Sequence, residues 1–286
     1  MVFISPKTDF AFKKIFGSKK SKDILISFLN AVLYDGQDIL QDLEILDPYQ
    51  APRIKGVKDS YLDVKAVTAD HKTVIIEMQV LNALGFEKRV LYNAAKAFSI
   101  QLGVGDSYNL LNPVIALTIT DFEMFPNSTK VISRYRFKET EELTDYTSDI
   151  ELVFIELPKF NKSLAELETI TDKWIYFLKC ANTLPSVPSS MEKIPAINKA
   201  FRVARESKLT KRELEVLEKQ AMFMHDGQNA ILYAEQKAME KGMEKGMEKG
   251  RKEAAIAIAR KLLDLLDAET ISKKTGLSVA EIQALN

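Results

Sequence analysis

The sequence contains very little cysteine or histidine. Cys180 is its only cysteine, and His71 and His225 are its only histidines. An internal disulfide is therefore excluded, and so are zinc sites built from several cysteines or from clustered histidines. The single cysteine is typical of a protein in a reducing compartment. Any metal that binds this chain is expected to have oxygen ligands.

The sequence also lacks long apolar runs and an excess of charge of either sign. No run of 18 apolar residues occurs, and residues 1–6 lack the charged-then-apolar order of a secretion leader. We therefore expect a cytoplasmic protein without a membrane partner. The 40 basic residues balance 40 acidic residues, so net charge gives no argument for a nucleic-acid partner. Lysines are nevertheless concentrated in residues 1–30, where a polyanion would bind best.

The residues that are present suit one or two globular domains, because 46% of them are hydrophobic and 28% are charged. Apolar residues at helical spacing predict helices over residues 8–33, with a break at Gly17, and over residues 86–102. Short apolar or alternating runs predict strands over 43–46, 61–69, 72–80, 113–120 and 152–157. This order of elements predicts an α/β fold with a mixed central sheet flanked by helices.

The pattern becomes helical after about residue 160, which suggests four parts of the chain. We predict an α/β core over 1–160, a helical subdomain over 161–238, a repeat linker over 239–251 and a C-terminal helical tail over 252–286. The linker contains Met-Glu-Lys-Gly three times. Each of its glycines costs about 1 kcal/mol of helix stability relative to Ala, so the segment is interpreted as a connector or a frayed helix.

The tail contains signals for two short helices. Gly276 ends the first helix, and Ser278 with Glu281 supplies a capping box for the second. A helix-turn-helix and a dimerisation element both fit this pattern. Only Lys273 and Lys274 lie nearby as basic residues, so a homodimer contact is at least as good an interpretation as DNA binding.

Polar residues interrupt two strands that otherwise look buried. Glu77 and Gln79 lie in the apolar run 74–80, and Asp63 lies in the preceding strand. A hairpin turn centred on Asp70 puts Asp63 directly opposite Glu77, with Gln79 on the same face. Two carboxylates at this separation repel each other unless a cation lies between them. We therefore predict a Mg²⁺ or Mn²⁺ site with Asp63, Glu77 and the Met78 carbonyl as ligands, suited to phosphodiester hydrolysis by a bound water.

Cationic residues flank this predicted site. Lys65 shares the face of Asp63 by the two-residue period of a strand, and it either assists the chemistry or only neutralises the acids. Arg89, Asn93 and Lys96 lie on one face of the following helix. Arg89 and Lys96 are candidates for phosphate binding, and the alternative is a solvated helix face.

Several motifs in this order resemble a known family. Asp63, thirteen further residues and then Glu77-x-Gln79 resemble the PD-(D/E)XK nuclease core in a glutamine variant. The opening segment 8–17, together with Phe28-Leu29-Asn30 and Lys88-Arg89-Val90-Leu91-Tyr92, resembles the Rpn family of recombination-promoting nucleases and transposases. The resemblance covers about residues 5–160 and implies a restriction-endonuclease-like core followed by a helical C-terminal region.

The resemblance implies a function and several residue roles. Asp63 and Glu77 are then metal ligands, Gln79 takes the place of the usual catalytic lysine, and Asp9 is an auxiliary acid, unless it serves only as a helix N-cap. We expect a Mg²⁺-dependent DNA endonuclease that acts in recombination, transposition or defence. The alternatives are a catalytically weak nuclease fold that binds DNA or acts as a scaffold, and a transposase-type strand-transfer enzyme. An amide cannot act as a general acid or base, so Gln79 can only orient water or phosphate.

Overall fold

The computed structural model describes residues 3–50 and 60–285. The chain forms two compact units, Met1–Met224 and His225–Asn286. The helices are α1 Asp9–Phe16, α2 Lys22–Leu33, α3 Phe86–Ser99, α4 Ile170–Cys180, α5 Ser189–Glu192, α6 Pro195–Val203, α7 Lys211–Leu262, α8 Ala268–Thr275 and α9 Val279–Gln283. The strands are β1 Leu43–Leu46, β2 Tyr49–Gln50, β3 Ser60–Tyr61, β4 Val64–Thr68, β5 Thr73–Gln79, β6 Val114–Thr120, β7 Ile132–Lys138 and β8 Asp145–Glu156.

A mixed six-stranded sheet organises the first unit, in the order β1-β4-β5-β6-β8-β7. The pairs β5–β6 and β6–β8 are parallel, and the other pairs in this sheet are antiparallel. All seven residues of β6 are buried, as expected for a central strand covered by helices on both faces. The predicted α/β fold with a mixed central sheet is therefore confirmed, and it is consistent with a PD-(D/E)XK nuclease fold.

The two faces of the sheet carry different helices. On one face, Val74 and Ile76 of β5 share a large core with α1, α2, α4 and α6. On the other face, Ile75 packs with Ala94 and Ala97 of α3. Because side chains alternate along a strand, Glu77 and Gln79 lie on the same face of β5 as Ile75, beneath α3. This alternation directs the polar end of β5 toward α3.

The hydrophobic core crosses the domain boundary predicted at residue 160. Trp174 of α4 packs edge-to-face against Phe28 of α2 and Phe177, with ring centroids 5.7 Å apart in both pairs. Phe177 in turn lies 4.8 Å from Phe201 of α6. The four-part division of the chain stays a prediction, but helices α4 and α6 belong to the same packed core as α1 and α2.

The Met-Glu-Lys-Gly repeat is helical and lies inside α7. Met, Glu and Lys are strong helix formers, and their preference offsets the cost of the repeat glycines. In the second unit, the end of α7 packs with α8 and α9 around Ala259, Ile271, Leu277 and Ile282. The predicted capping box at Ser278 and Glu281 is confirmed, and Gly276 ends α8 with φ 74°. Within the described residues, no helix has both the length and the apolarity needed to cross a bilayer.

Candidate active site

A cleft of about 840 Å³ opens where β5 ends and α3 begins. The last three residues of β5, Glu77-Met78-Gln79, form its floor together with Asp63. Its remaining walls come from α1, from the loop after β5 and from α3: Asp9, Lys13, Ala83, Leu84, Gly85, Phe86, Lys88, Arg89, Tyr92 and Asn93. The cleft therefore collects residues that lie far apart in the sequence.

The two central carboxylates are paired by strand register. Val64 of β4 lies opposite Ile76 of β5, and continuing this register by one residue puts Asp63 opposite Glu77, as the hairpin arithmetic predicted. Asp63 lies in the bend before β4, and its Oδ2 accepts a hydrogen bond of 2.7 Å from the Met78 amide. This bond fixes the Asp63 carboxylate at the end of β5.

The pKa of Asp63 is raised to about 7, mainly by burial and also by the neighbouring Asp9 carboxylate, while the Met78 N–H and Lys13 oppose this shift. Burial also raises the pKa of Glu77, against the opposing effects of the Asn93 amide and Arg89. Both carboxylates therefore lack full compensation of their negative charge within the protein. Groups perturbed in this way inside a cleft are typical of functional sites.

Glu77 is held by two residues of α3. Its Oε1 accepts a hydrogen bond from the Asn93 side-chain amide, and its Oε2 lies 3.9 Å from Arg89 Nε. Asn93 is 4% exposed, so its amide is directed inward by the packing of α3 on the sheet. The contact sets the orientation of the Glu77 carboxylate, whose second oxygen lies near Arg89.

Helix α1 brings a third acid and a lysine to the cleft. Thr8 is the N-cap of α1, where its hydroxyl accepts a hydrogen bond from the Ala11 amide, so the alternative role of Asp9 as N-cap is wrong. Lys13 Nζ lies 2.6 Å from Asp9 Oδ1 and 3.6 Å from Asp63 Oδ1. Burial opposes these ion pairs, but they prevail, so the pKa of Lys13 is raised and that of Asp9 is lowered. Lys13 is therefore a protonated cation between two acids.

Gln79 and Arg89 form a second polar pair at the mouth of the cleft. Arg89 Nη2 donates to Gln79 Oε1 at 2.5 Å, and Gln79 Nε2 donates to the Leu81 carbonyl at 2.7 Å. The Arg89 guanidinium also lies over the Phe86 ring, 5.0 Å from its centroid. The Gln79 amide thus links the main chain after β5 to a cation on α3.

The structure does not bring Lys65 or Lys96 to the cleft. Lys65 faces Ile75 in the β4–β5 ladder, two residues away from the site. Burial lowers the pKa of Lys65, and the acid that opposes this shift is Asp47, which lies outside the cleft. Lys96 is 7% exposed, and its Nζ lies 5.9 Å from the centroid of the Tyr92 ring. Lys65 lies too far along β4, and Lys96 too far along α3, to line the cleft with Asp63 and Glu77. Neither lysine is therefore retained among the proposed site residues.

Lys13 and Asn93 contact the central acids of the cleft, but the sequence-based prediction gave neither of them a role. Lys13 follows Asp9 by four residues, a spacing that places both on one face of α1. Asn93 follows Arg89 by four residues on α3. The spacing was visible in the sequence, but the packing of α1 and α3 around the end of β5 was not.

The donor set at the cleft fits a hard divalent cation. Among residues 3–50 and 60–285, no group of three or more His, Cys, Asp or Glu side chains is arranged to hold a metal. Mg²⁺ keeps several waters and needs only one or two protein carboxylates, at octahedral positions. Asp63 and Glu77, two partly exposed carboxylates that face each other and have raised pKa values, satisfy that requirement.

Asp63→Asn is expected to stabilise the metal-free protein at about pH 8 by about 4 kcal/mol. The folded-state pKa of Asp63 is about 7, which is above the unfolded value. Protonation of Asp63 therefore contributes stability below about pH 4, and this contribution is lost as the pH rises through 7. Urea unfolding in EDTA at several pH values measures the effect. A variant less stable than the wild type at about pH 8 would contradict the conclusion that the charge of Asp63 is incompletely compensated.

The family model described as PD-(D/E)XK nuclease family transposase matches residues 6–234. No curated protein and no solved structure matches the chain significantly. The matched range includes every residue that lines the cleft and ends within α7.

Proposed function

The chain belongs to the PD-(D/E)XK nuclease transposase family, and we propose that it hydrolyses DNA phosphodiester bonds with a divalent metal ion at Asp63 and Glu77. Family membership supports a nuclease-type or transposase-type function. The observation that carries the proposal is the facing pair of largely buried carboxylates at the end of β5, whose side chains are 16% and 12% exposed and whose pKa values are both raised. Lys13, Lys88 and Arg89 line the same cleft, and they supply positive charge for a phosphodiester.

Asp63 and Glu77 would hold Mg²⁺ or Mn²⁺, together with the main-chain carbonyl of Met78. When bound, the ion supplies a water of lowered pKa and neutralises charge on the reacting phosphate. Asn93 keeps Glu77 oriented for this role through its hydrogen bond. The Met78 amide does the same for Asp63, so both ligands are preorganised before the ion binds.

Lys13 supplies the ammonium that residue 79 lacks. Its raised pKa keeps it protonated at neutral pH, so its role is electrostatic and it is not a general base. Asp9 positions this ammonium through a 2.6 Å ion pair. In this arrangement Asp9 is the auxiliary acid of the site, acting through Lys13.

Lys13→Met is expected to lower the rate of DNA cleavage about 10²-fold, because it removes one electrostatic interaction with the developing phosphate charge. Single-turnover cleavage of labelled duplex DNA measures this rate. Lys14→Met is the matched control, since Lys14 lies on the same helix but pairs with Glu213. Equal losses in both variants would show that general charge on α1, rather than Lys13, is responsible.

The reaction class is tested with supercoiled plasmid DNA. Incubation with Mg²⁺ is expected to give nicked and then linear plasmid, and EDTA is expected to stop the reaction. Intact plasmid at every metal and protein concentration would reject hydrolysis and leave a DNA-binding or scaffold role.

Strand transfer is the second candidate, and it is favoured by the word transposase in the matched family's description. The same carboxylates would serve, with a DNA 3′ hydroxyl replacing water as the nucleophile. A joining assay with labelled donor ends distinguishes the two reactions. Labelled products longer than the donor indicate transfer, whereas only shortened products indicate hydrolysis.

A further inference from the structure

The side-chain amide of Gln79 has a fixed orientation. Its Nε2 donates to the Leu81 carbonyl at 2.7 Å, and a carbonyl can only accept. The amide oxygen therefore faces the opposite way, where Arg89 Nη2 donates to it at 2.5 Å. The acceptor at Leu81 and the donor at Arg89 both require this orientation. The amide therefore connects the main chain after β5 to the Arg89 guanidinium on α3.

Arg89 is restrained but still available to a ligand. Phe86 lies beneath the guanidinium at 5.0 Å from the ring centroid, and Glu77 Oε2 lies 3.9 Å from Nε. The side chain is nevertheless 46% exposed and lines the cleft. A guanidinium has five N–H donors, so the bond to Gln79 leaves donors that can reach a phosphate oxygen. The planar donor fork of arginine suits bidentate contact with phosphate.

We infer that Gln79 is a positioning residue, which holds the Arg89 guanidinium beside Glu77 so that Arg89 binds a phosphate of the nucleic-acid substrate. This inference rests on the proposed function and gives residue 79 a specific part in it. Gln79 then contributes through Arg89 and not by orienting water itself.

The chemistry of residue 79 agrees with this role. A lysine at position 79 would present an ammonium to the Arg89 guanidinium, and like charges at hydrogen-bond distance repel. Glutamine is neutral and offers an acceptor, which lysine does not have. Arg89 on α3 therefore supplies the positive charge that a lysine at position 79 would place on the strand, and Gln79 holds the Arg89 guanidinium in position.

A double-mutant cycle tests the inference by DNA binding in EDTA, where no cleavage occurs. The variants are Gln79→Met, Arg89→Met and the double variant, with a fluorescein-labelled DNA duplex as the probe. Arg89→Met is expected to weaken binding about 10-fold, and Gln79→Met about 5-fold, because a charge-assisted hydrogen bond to phosphate is removed or misplaced. The double variant is expected to bind within about 2-fold of Arg89→Met. If Gln79→Met weakens DNA binding as much in the Arg89→Met protein as it does in the wild type, the inference is overturned.

Salt dependence provides a second readout that a purely structural role would not change. The slope of log affinity against log salt falls by about 0.9 for each phosphate that the protein no longer neutralises. Arg89→Met is expected to lower the slope by about this amount, and Gln79→Met by a part of it, although Gln79 carries no charge. A slope for Gln79→Met equal to that of the wild type counts against a positioning role.

Lys88→Met is the matched control. Lys88 also lines the cleft, on the turn of α3 that carries Arg89, but the Gln79 hydrogen bonds go to Arg89 and Leu81. The effects of Gln79→Met and Lys88→Met are therefore expected to multiply. Thermal unfolding of each variant shows whether it is folded.

Two outcomes separate this inference from the proposed function. If the wild-type protein binds no DNA, both are rejected. If it binds DNA and the effects of Gln79→Met and Arg89→Met on affinity multiply, only the inference is rejected.

Discussion

Glu77→Gln is expected to lower metal-dependent DNA cleavage by at least about 10³-fold. The substitution keeps the size of the side chain and its acceptor for Asn93, but it removes the negative charge that a divalent ion requires. Glu77 lines the cleft opposite Asp63, so the substitution removes one of the two carboxylates proposed to hold the ion. Single-turnover rates with saturating Mg²⁺ measure the loss.

Glu44→Gln is the control for this prediction. Glu44 is an exposed acid on β1 of the same sheet and lies outside this cleft. Its substitution removes one negative charge without touching the site, so cleavage is expected to stay within about 2-fold of the wild type. Cleavage by Glu77→Gln at a rate close to that of the control would remove Glu77 from the site.

Glu156→Ala is expected to destabilise the protein by about 3–5 kcal/mol, because it leaves a buried charge without its partner. Glu156 is fully buried, and its Oε1 accepts hydrogen bonds from the Met124 and Phe125 amides, at 2.6 and 3.0 Å. Lys159 Nζ donates to Glu156 Oε2 at 2.7 Å and to the Phe125 carbonyl at the same distance. This cluster anchors the segment between β6 and β7 to the end of β8.

Urea unfolding of the metal-free protein measures the predicted loss. Glu215→Ala, which removes an exposed acid of α7, is expected to change stability by less than about 0.5 kcal/mol. The double variant Glu156→Ala/Lys159→Met is expected to be more stable than Glu156→Ala alone, since it removes the orphaned charge. A loss below about 1 kcal/mol for Glu156→Ala would contradict the role of this buried pair.

The pairing of Asp63 with Glu77 was predictable because a hairpin obeys simple arithmetic. Once the turn near Asp70 is located, the facing residues of β4 and β5 are fixed, and the structure has this register. The break at Gly17 was predictable for a similar reason, because α1 ends at Phe16. Local periodicity and turn chemistry thus gave the strands and helices around the site.

Other features depend on contacts that one sequence does not reveal. Strand β7 and the first half of β8 were missed: β7 is mostly exposed, with Tyr135 and Phe137 at 42% and 50%, so it carries little of the buried apolar pattern that predicted the other strands. Its pairing is supported by ion pairs between β7 and β8, such as Lys138 with Asp145. Helix α3 ends at Ser99, before the predicted Leu102, because the Gln101 side chain bonds to the main chain of Asn112.

The positions of the cations were the least predictable part of the site. Lys65 has the right strand period, but its place in the ladder is two residues from the site. Lys13 reaches Asp63 only because α1 packs near the end of β5, and no short-range pattern encodes that distance. Side chains that converge from α1, β5 and α3 require the tertiary structure to be known.

Calorimetric titration with Mn²⁺ measures whether Asp63 and Glu77 form one divalent-metal site. The wild type is expected to bind Mn²⁺ at a site whose affinity rises as the pH passes through about 7, since the proton on Asp63 competes with the ion. Asp63→Asn and Glu77→Gln are each expected to abolish this binding, while Glu44→Gln leaves it unchanged. Mn²⁺ binding of equal affinity in all four proteins would contradict the assignment.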